Sequence, residues 1–260
     1  MMKTLLLAPM LVAVAAANPI AVYPTIKIAE NCVVTVGEKE AWVVCEVTYR
    51  QGNAGGGIDP GQMVIQVPVF VPEGTDKAAL PGMIKARLET KADGVLEPQS
   101  YGEPLDAIEL WRVETKDVDQ KHIDKARLRP SEDPFAPNAG LEYRPPVLPM
   151  SLLKAFGGTR LVDAGFSIPP SPDREFTIKV TYTQPLHEGR FVYLPQFEDG
   201  ARQRDEAKFK IIIAPEGETE VKPSGVGAEG KVKNDGKIVY MPEHGVPIAV
   251  DVVGKGDSRP

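Results

Sequence analysis

Residues 31–45 read NCVVTVGEKEAWVVC and contain both cysteines of the chain, in a pattern typical of a hairpin. Apolar residues stand on both sides of a Gly-Glu-Lys-Glu segment, as in two strands joined by a short loop. A turn centred on Glu38 and Lys39 places Cys32 directly opposite Cys45. Directly opposed residues of antiparallel strands have Cα atoms about 4.5 or 5.5 Å apart, and both separations suit a disulfide. We therefore predict an antiparallel hairpin closed by a Cys32–Cys45 disulfide.

These cysteines could have two roles other than a structural disulfide: redox exchange or zinc binding. A thiol-disulfide partner protein would need a thiolate with a lowered pKa, close to a cation or a helix N-terminus. The neighbours that share the face of the cysteines are instead valines, Val34, Val36, Val43 and Val47. A zinc site would need further ligands, and no histidine stands nearby. A structural disulfide is the favoured interpretation, and redox exchange through Cys32 and Cys45 is kept as an alternative.

The rest of the chain repeats the strand pattern of the hairpin. Short runs rich in β-branched and aromatic residues alternate with Gly, Pro and acidic turns, which favours an all-β, mostly antiparallel fold. We predict a β-sandwich of immunoglobulin-like architecture with one or two short helices, at residues 149–156 and 117–128. The predicted strands are residues 43–50, 63–71, 84–90, 107–114, 176–183, 190–194, 207–214, 237–241 and 246–253.

A proline-rich connection at residues 129–146 separates two groups of predicted strands. Loops of this length are uncommon inside one compact domain. We therefore predict two β-rich modules, residues 18–128 with the disulfide hairpin and residues 147–260. One large sandwich with the proline-rich stretch lying across its surface is the alternative.

The N-terminal residues 1–17 have the pattern of a secretory signal peptide. Lys3 precedes an apolar run, and Ala15 and Ala17 fit the small-x-small rule, which predicts cleavage between Ala17 and Asn18. The run is shorter than the roughly 20 residues of a membrane-spanning helix, and no second apolar span follows it. We expect a soluble protein, exported to the periplasm or the extracellular space, with no transmembrane segment after cleavage.

Composition and motifs narrow the possible functions. The formal net charge of −6 argues against a surface for nucleic acid or anionic membrane. The three histidines, His122, His187 and His244, have no metal-ligand spacing, and residues 117–124 lack the glycine and glutamate of a calcium loop. Signature motifs for phosphate, dinucleotide, serine-hydrolase and zinc-protease sites are absent from the sequence. We predict no catalytic residue, no metal and no cofactor.

One segment, residues 184–206, combines mixed charges with aromatic residues between two predicted strands, as binding loops often do. An ordinary hairpin with solvated polar residues is the favoured interpretation, because scattered surface charge needs no function. A hydrolase with a carboxylate and histidine site is a further one, although adjacent carboxylates such as Glu198 and Asp199 would face opposite ways on a strand. The candidate binding residues are His187, Glu188, Arg190, Tyr193, Arg202 and Arg204.

Part of this region also resembles known domains. The run FTIKVTYTQPLHEGRFVYLP, residues 176–195, followed by FKIIIAP, residues 209–215, resembles the strand pattern of VIT-type and related secreted β-sandwich domains. It is also similar to the immunoglobulin-like N-terminal domain of bacterial thiol:disulfide interchange proteins, in which a similar strand leads into a reactive cysteine pair. No cysteine follows Val180 here, so that resemblance implies no redox role for this region.

Taken together, these patterns predict an exported, non-catalytic β-sandwich that acts as a binding or assembly module. The expected partner is a protein or a surface polymer. An exposed apolar or aromatic patch, close to residues 184–206 or to the proline-rich connection, is the feature that this function requires.

Overall fold

We describe the protein from a computed structural model of its 260 residues. The structure describes residues 20–22, 25–51, 63–103, 105–106, 158–169, 175–193, 195, 208–224, 229–242 and 248–253. The predicted signal peptide, the proline-rich connection, both predicted helices and the predicted strand 107–114 lie outside these residues.

Strands make up most of the described chain, which confirms the all-β, mostly antiparallel prediction. The immunoglobulin-like arrangement stays a prediction, because only a sandwich-like all-β fold is established. The strands are β1 Ile20–Val22, β2 Thr25–Val36, β3 Glu40–Gln51, β4 Met63–Pro72, β5 Arg87–Thr90, β6 Gly94–Leu96, β7 Ser100–Tyr101, β8 Leu105–Asp106, β9 Thr159–Ile168, β10 Glu175–Pro185, β11 Arg190–Tyr193, β12 Phe209–Pro215, β13 Glu220–Pro223, β14 Lys231–Val232, β15 Ile238–Tyr240 and β16 Ile248–Val253.

These strands form three sheets. The largest has eight strands in the order β14-β15-β12-β2-β3-β10-β5-β6. A five-stranded sheet has the order β1-β4-β9-β7, with β8 also paired to β9, and a three-stranded sheet has the order β11-β16-β13. Among the described pairs, β2 and β12 run parallel and the others run antiparallel. The disulfide hairpin β2–β3 therefore lies in the middle of the largest sheet.

The predicted register of this hairpin is confirmed. Cys32 pairs with Cys45, and Val36 pairs with Ala41 beside the turn. The two sulfur atoms are bonded, and the Cα atoms lie 4.1 Å apart. The amide of Gly37 donates to the carbonyl of Glu40 and closes the turn. Local sequence was sufficient here because the hairpin partners are close along the chain.

Strands from the two predicted modules pair with one another. The long strand β10 pairs with β3 along eleven residues, β12 pairs with β2, and β9 pairs with β4. Each of these pairs joins a strand before the proline-rich connection to a strand after it. The two predicted modules imply no strand pairing between them, since pairing between distant strands leaves no local signal in the sequence. Both large sheets contain strands from each half of the chain.

One hydrophobic core is shared by the three sheets. Its members come from the inward positions of β2, β3, β5, β10, β12 and β15 in the largest sheet, and from β4, β9, β11, β13 and β16 in the other two. Four tyrosines, Tyr49, Tyr182, Tyr193 and Tyr240, are among its largest fully buried side chains. Buried aromatic side chains contribute strongly to core stability, and their hydroxyls usually need a hydrogen-bond partner. The core is thus apolar with a few polar atoms inside it.

A short helix, α1 (Leu80–Ile84), covers part of this core with Leu80 and Ile84. Pro81 suits its first turn, where a missing amide costs nothing. The helix ends at Lys85, which has a left-handed backbone with φ 45°, and the predicted strand 84–90 therefore begins only at Arg87. Within the described residues, no helix has the length and apolar character needed to cross a membrane.

Candidate functional site

The predicted binding loop begins with a tight turn between β10 and β11. His187 and Arg190 exchange two backbone hydrogen bonds of 3.1 and 2.9 Å across Glu188 and Gly189. Both central residues have positive φ, 51° and 72°, as a type I′ hairpin turn requires. The Arg190 guanidinium is paired with Asp251 of β16, with 2.6 Å between Nε and Oδ1. The turn is ordered by the fold, and the charge of Arg190 is already matched.

The other predicted loop residues have different positions. Tyr193 lies in the core with no exposed surface, so its assignment to an exposed binding loop needs correction. The physical reason is that Phe191 and Tyr193 share the inward face of β11, and both side chains belong to the hydrophobic core. Arg202 and Arg204 lie outside the described residues. Of the six candidates, His187, Glu188 and Arg190 remain together at the turn.

A small cavity lies beneath this turn, lined among others by Thr159, Gln184, His187 and Arg190. Its volume is about 10 Å³, which accommodates roughly one water molecule. The amide nitrogen of Gln184 donates to the Val192 carbonyl at 3.0 Å. Its Oε1 atom is buried and finds no donor within the described part of the chain. The cavity suits a single bridging water rather than a substrate.

A second polar site lies inside the core, where a β-bulge reorients the start of β2. The pairing of β2 with β3 shifts between Lys27 and Ala29 and leaves Ile28 as an extra residue. On a regular strand, residues three apart point to opposite faces. The bulge instead turns both Lys27 and Glu30 inward, and their charged groups lie 3.4 Å apart, with both side chains buried. A buried ion pair therefore depends on one irregularity in the strand.

Tyr193 connects this ion pair to the disulfide. Its hydroxyl donates to Glu30 Oε1 at 2.6 Å and lies 3.3 Å from Cys32 Sγ and 3.7 Å from Cys45 Sγ. Burial, and after it the Glu30 carboxylate, holds the pKa of the Tyr193 phenol well above its ordinary value of 10.0. The phenol therefore stays protonated and keeps its role as a donor. This contact joins the three-stranded sheet to the centre of the largest sheet.

The chemistry available to this buried group is limited. Ligand atoms of Glu30, Cys32 and Cys45 lie within 4.8 Å of one another. Both sulfurs are used in the disulfide, however, and only a thiolate is an effective metal ligand or nucleophile. The two cysteines are 1% and 0% exposed, so a partner protein has no access to the bond. We interpret the group as a structural element of the core.

An exposed apolar surface lies on the opposite, outer face of the largest sheet. Side chains from neighbouring strands stand in one register row across this face, and the pairings give the order Lys231, Val239, Ile212, Val33, Val44, Thr181 and Arg87. Four adjacent members are aliphatic, and cationic side chains stand at both ends. Trp42 lies beside the row, two residues from Val44 and opposite Thr35. We call Val33, Trp42, Val44, Ile212 and Val239 the outer patch.

The outer patch is accessible at its centre, since Val33 is 45% exposed and Trp42 is 42% exposed. An outward sheet face usually carries polar residues, as the next row does with Lys210, Asn31 and Glu46. Single exposed apolar residues are common and need no function, but a contiguous group marks an interaction surface. Trp42 also pairs with Thr183, one residue before the predicted loop segment begins. A patch close to that segment is what the binding hypothesis required.

The sequence itself indicates the outer patch. Val44 and Trp42 alternate with the inward Val43 and Cys45, so they share a strand face with Glu46 and Arg50, whose charges indicate the solvent side. A tryptophan on that face indicates an exposed aromatic residue. The sequence indicates the buried ion pair less clearly. Glu30 alternates in step with the inward Cys32, whereas Lys27 reaches the core only through the bulge.

Comparisons with known proteins add little to this description. No protein-family model matches the chain, and no curated protein matches its sequence. Among solved structures, one similar chain is a protein of Legionella pneumophila strain Philadelphia 1, provisionally described as a nutrient binding protein. The TM-score is 0.42 at 11% sequence identity, with 91% of this chain and 70% of that chain covered.

Proposed function

We propose that this protein is an exported, non-catalytic binding or assembly module that contacts a partner protein or a surface polymer through the outer patch. The observation that supports this proposal is the in-register row of aliphatic residues on the outer face, with Val33 exposed and its aliphatic neighbours half-buried, beside the exposed Trp42. Aromatic residues with surrounding aliphatic contacts are the usual centre of a protein interface. The patch lies on central strands that are held by pairing on both sides, so its geometry is fixed before binding.

The proposal assigns the buried polar group a supporting role. The disulfide joins the two strands, β2 and β3, that carry Val33, Val44 and Trp42 on their opposite face. A rigid surface loses less conformational entropy when a partner binds than a mobile one does. The covalent link thus keeps the centre of the patch in register. This interpretation uses the cysteines for structure alone.

Export is part of the proposal, supported by the signal-like residues 1–17 and by a disulfide of the kind found outside the cytoplasm. N-terminal sequencing of the protein isolated from its host tests this part. The expected first residue is Asn18. An intact Met1 on all of the isolated protein would contradict export by a cleaved signal.

The thiol-disulfide alternative is not proposed, because it required accessible sulfurs and the structure buries both. The hydrolase alternative required carboxylates to converge with His187 in a cleft. The cavity beside His187 has room for about one water molecule, which does not support it.

The test compares two matched substitutions in the native host. Val33→Thr changes the centre of the patch, and Val64→Thr makes the same change at an exposed position of β4 in another sheet. Threonine keeps the β-branched shape, so both variants should fold, with surface effects within about 0.5 kcal/mol. We expect a specific partner to co-purify with wild type and with Val64→Thr and to be lost with Val33→Thr. Equal recovery with both variants would contradict binding through the outer patch.

A further inference from the structure

The open edge of the largest sheet lies next to the outer patch and, unlike the patch, carries charged side chains. Strand β14 is the last strand in the sheet order, and no described strand pairs with its other side. A shallow, open groove of about 540 Å³ lies along this end, with Ile212 and Val239 of the outer patch as its apolar side chains and Val232 as a further lining residue. Lys231, Lys233 and the ion-paired Asp235 and Lys237 also line it. The groove continues the outer patch, because Ile212 and Val239 belong to both.

The hydrogen bonding of β14 shows which backbone groups face the open edge. The Lys233 amide donates to the Lys237 carbonyl at 2.7 Å, so these two residues form a hydrogen-bonded pair. In an antiparallel ladder such pairs alternate with pairs that do not bond to each other. Val232 and its partner Ile238 are therefore a non-bonded pair. The amide and carbonyl of Val232 point away from β15, toward the open edge, where a further strand would bond to them.

The lysine side chains of β14 give the open edge a preference for an acidic partner. Residues two apart on a strand share a face, so Lys231 and Lys233 both project on the side of the outer row. The ion pair in this hairpin joins Lys237 to Asp235 at 2.6 Å, which leaves Lys231 and Lys233 without an ion-pair partner among the described residues. On a protein of net charge −6, this is a local cationic site. Lysines on an edge strand oppose edge-to-edge pairing in general, so a strand that adds here needs opposite charges across from them.

We propose that the β14 edge accepts an extended segment of a partner protein in which an apolar residue stands between two acidic residues. The acidic side chains would pair with Lys231 and Lys233, and the apolar one would contact Val232 on the other face. Such β-strand addition takes affinity from main-chain hydrogen bonds and specificity from alternate side chains. An extended polypeptide fits better than a lipid, because only a peptide backbone presents donors and acceptors at the spacing of the open edge. The inference rests on the proposed binding function and names the chemistry of its partner.

The experiment measures binding of fluorescent peptides to the full chain by anisotropy. The probe peptide has Glu-Val-Glu at its centre, and the comparison peptide has Lys-Val-Lys in otherwise identical sequence. Two cross-strand pairs of opposite charge should together change Kd by about 2- to 30-fold. We expect the acidic peptide to bind more tightly than the basic one by about this factor. Equal binding of the two peptides, or no binding of either, would overturn the proposal.

A protein variant and a chemical control make the test specific. Lys231→Glu with Lys233→Glu should abolish the preference for the acidic peptide, whereas Lys91→Glu with Lys222→Glu changes net charge equally elsewhere and should preserve it. The chemical control is the acidic peptide with methyl groups on the central amides, which removes main-chain donors and keeps both carboxylates. It should bind at least about tenfold more weakly. Unchanged binding of the methylated peptide would overturn strand addition, without requiring any variant to fold.

Two further outcomes separate this inference from the proposed function. Association with phosphatidylglycerol vesicles that the acidic peptide does not displace would overturn the peptide assignment in favour of a membrane. Failure of the acidic peptide, together with a native partner that still depends on Val33, would overturn the edge proposal and leave the binding function standing.

Discussion

Replacing Tyr193 by phenylalanine removes one hydroxyl from the centre of the core and tests the structural role of the buried polar group. That hydroxyl donates to the Glu30 carboxylate at 2.6 Å and contacts both sulfurs of the disulfide. A hydrogen bond to a charged group contributes about 1.5–3 kcal/mol, and the deletion leaves a buried carboxylate oxygen without this donor. We therefore expect Tyr193→Phe to lower the free energy of unfolding by about 2–3 kcal/mol.

Tyr240→Phe is the matched control for this prediction. The Tyr240 hydroxyl is buried and finds no partner within the described residues, and burial raises the pKa of this phenol to about 12. Removing an unsatisfied hydroxyl should be neutral or slightly stabilising, within about 0.5 kcal/mol. The assay is urea denaturation at pH 7 with the disulfide intact. A loss below about 0.5 kcal/mol for Tyr193→Phe, or equal losses for both variants, would refute the reasoning.

Three more predictions concern pH, redox state and backbone strain. Burial raises the pKa of the Asp163 carboxyl from 3.8 to about 6, so the folded state favours the protonated form. Protonated Asp163 adds to the free energy of unfolding. This contribution is fully present below about pH 4 and is lost as pH rises through about 6, a decrease of up to about 3 kcal/mol. Asp163→Asn should abolish that fall in a pH series of denaturation curves, and an unchanged fall would contradict the assignment. Cys32 and Cys45 should resist thiol labelling under mild reductant until the protein is denatured, and loss of the bond should cost about 3 kcal/mol; rapid labelling of the native protein would show access to the bond. Gly158→Ala should cost about 1–3 kcal/mol, since Gly158 has φ 76° and a Cβ there would meet the His187 ring at 2.9 Å. In the Gly158→Ala variant, adding His187→Ala removes the ring and should recover only the part of the lost stability that comes from the steric contact. A Gly158→Ala variant as stable as wild type would contradict both causes.

The hairpin and the bulge show what the sequence can and cannot predict. The register of β2 and β3 followed from turn position and alternation, because each pair is close along the chain. The bulge between Lys27 and Ala29 could not be predicted, since one extra residue alters which side chains face the core without altering composition. The predicted register therefore holds from the turn through Ala29 and is broken at Ile28.

The larger arrangement depended on contacts that no local pattern records. The pairing of β10 with β3 joins residues more than one hundred positions apart, and each strand alone is equally compatible with a separate module. The charged segment around Tyr193 predicts a binding residue, although three of the four residues in its own strand are apolar or aromatic. In contrast, the exposed position of Trp42 followed from strand phase and was available from the sequence. The face of a strand on which a residue lies follows from local alternation, whereas the partners of a strand depend on the whole fold.

The most direct test of the outer patch as the binding surface is site-specific photocrosslinking in the native host. A photoreactive amino acid at Val33 reports on the patch, and the same group at Val64 reports on an exposed position of another sheet. Both side chains are partly exposed, so the two proteins should fold equally well. We predict a discrete crosslinked product from position 33 that position 64 does not give. The same product from both positions, or none from position 33 when the partner co-purifies, would contradict binding through the outer patch.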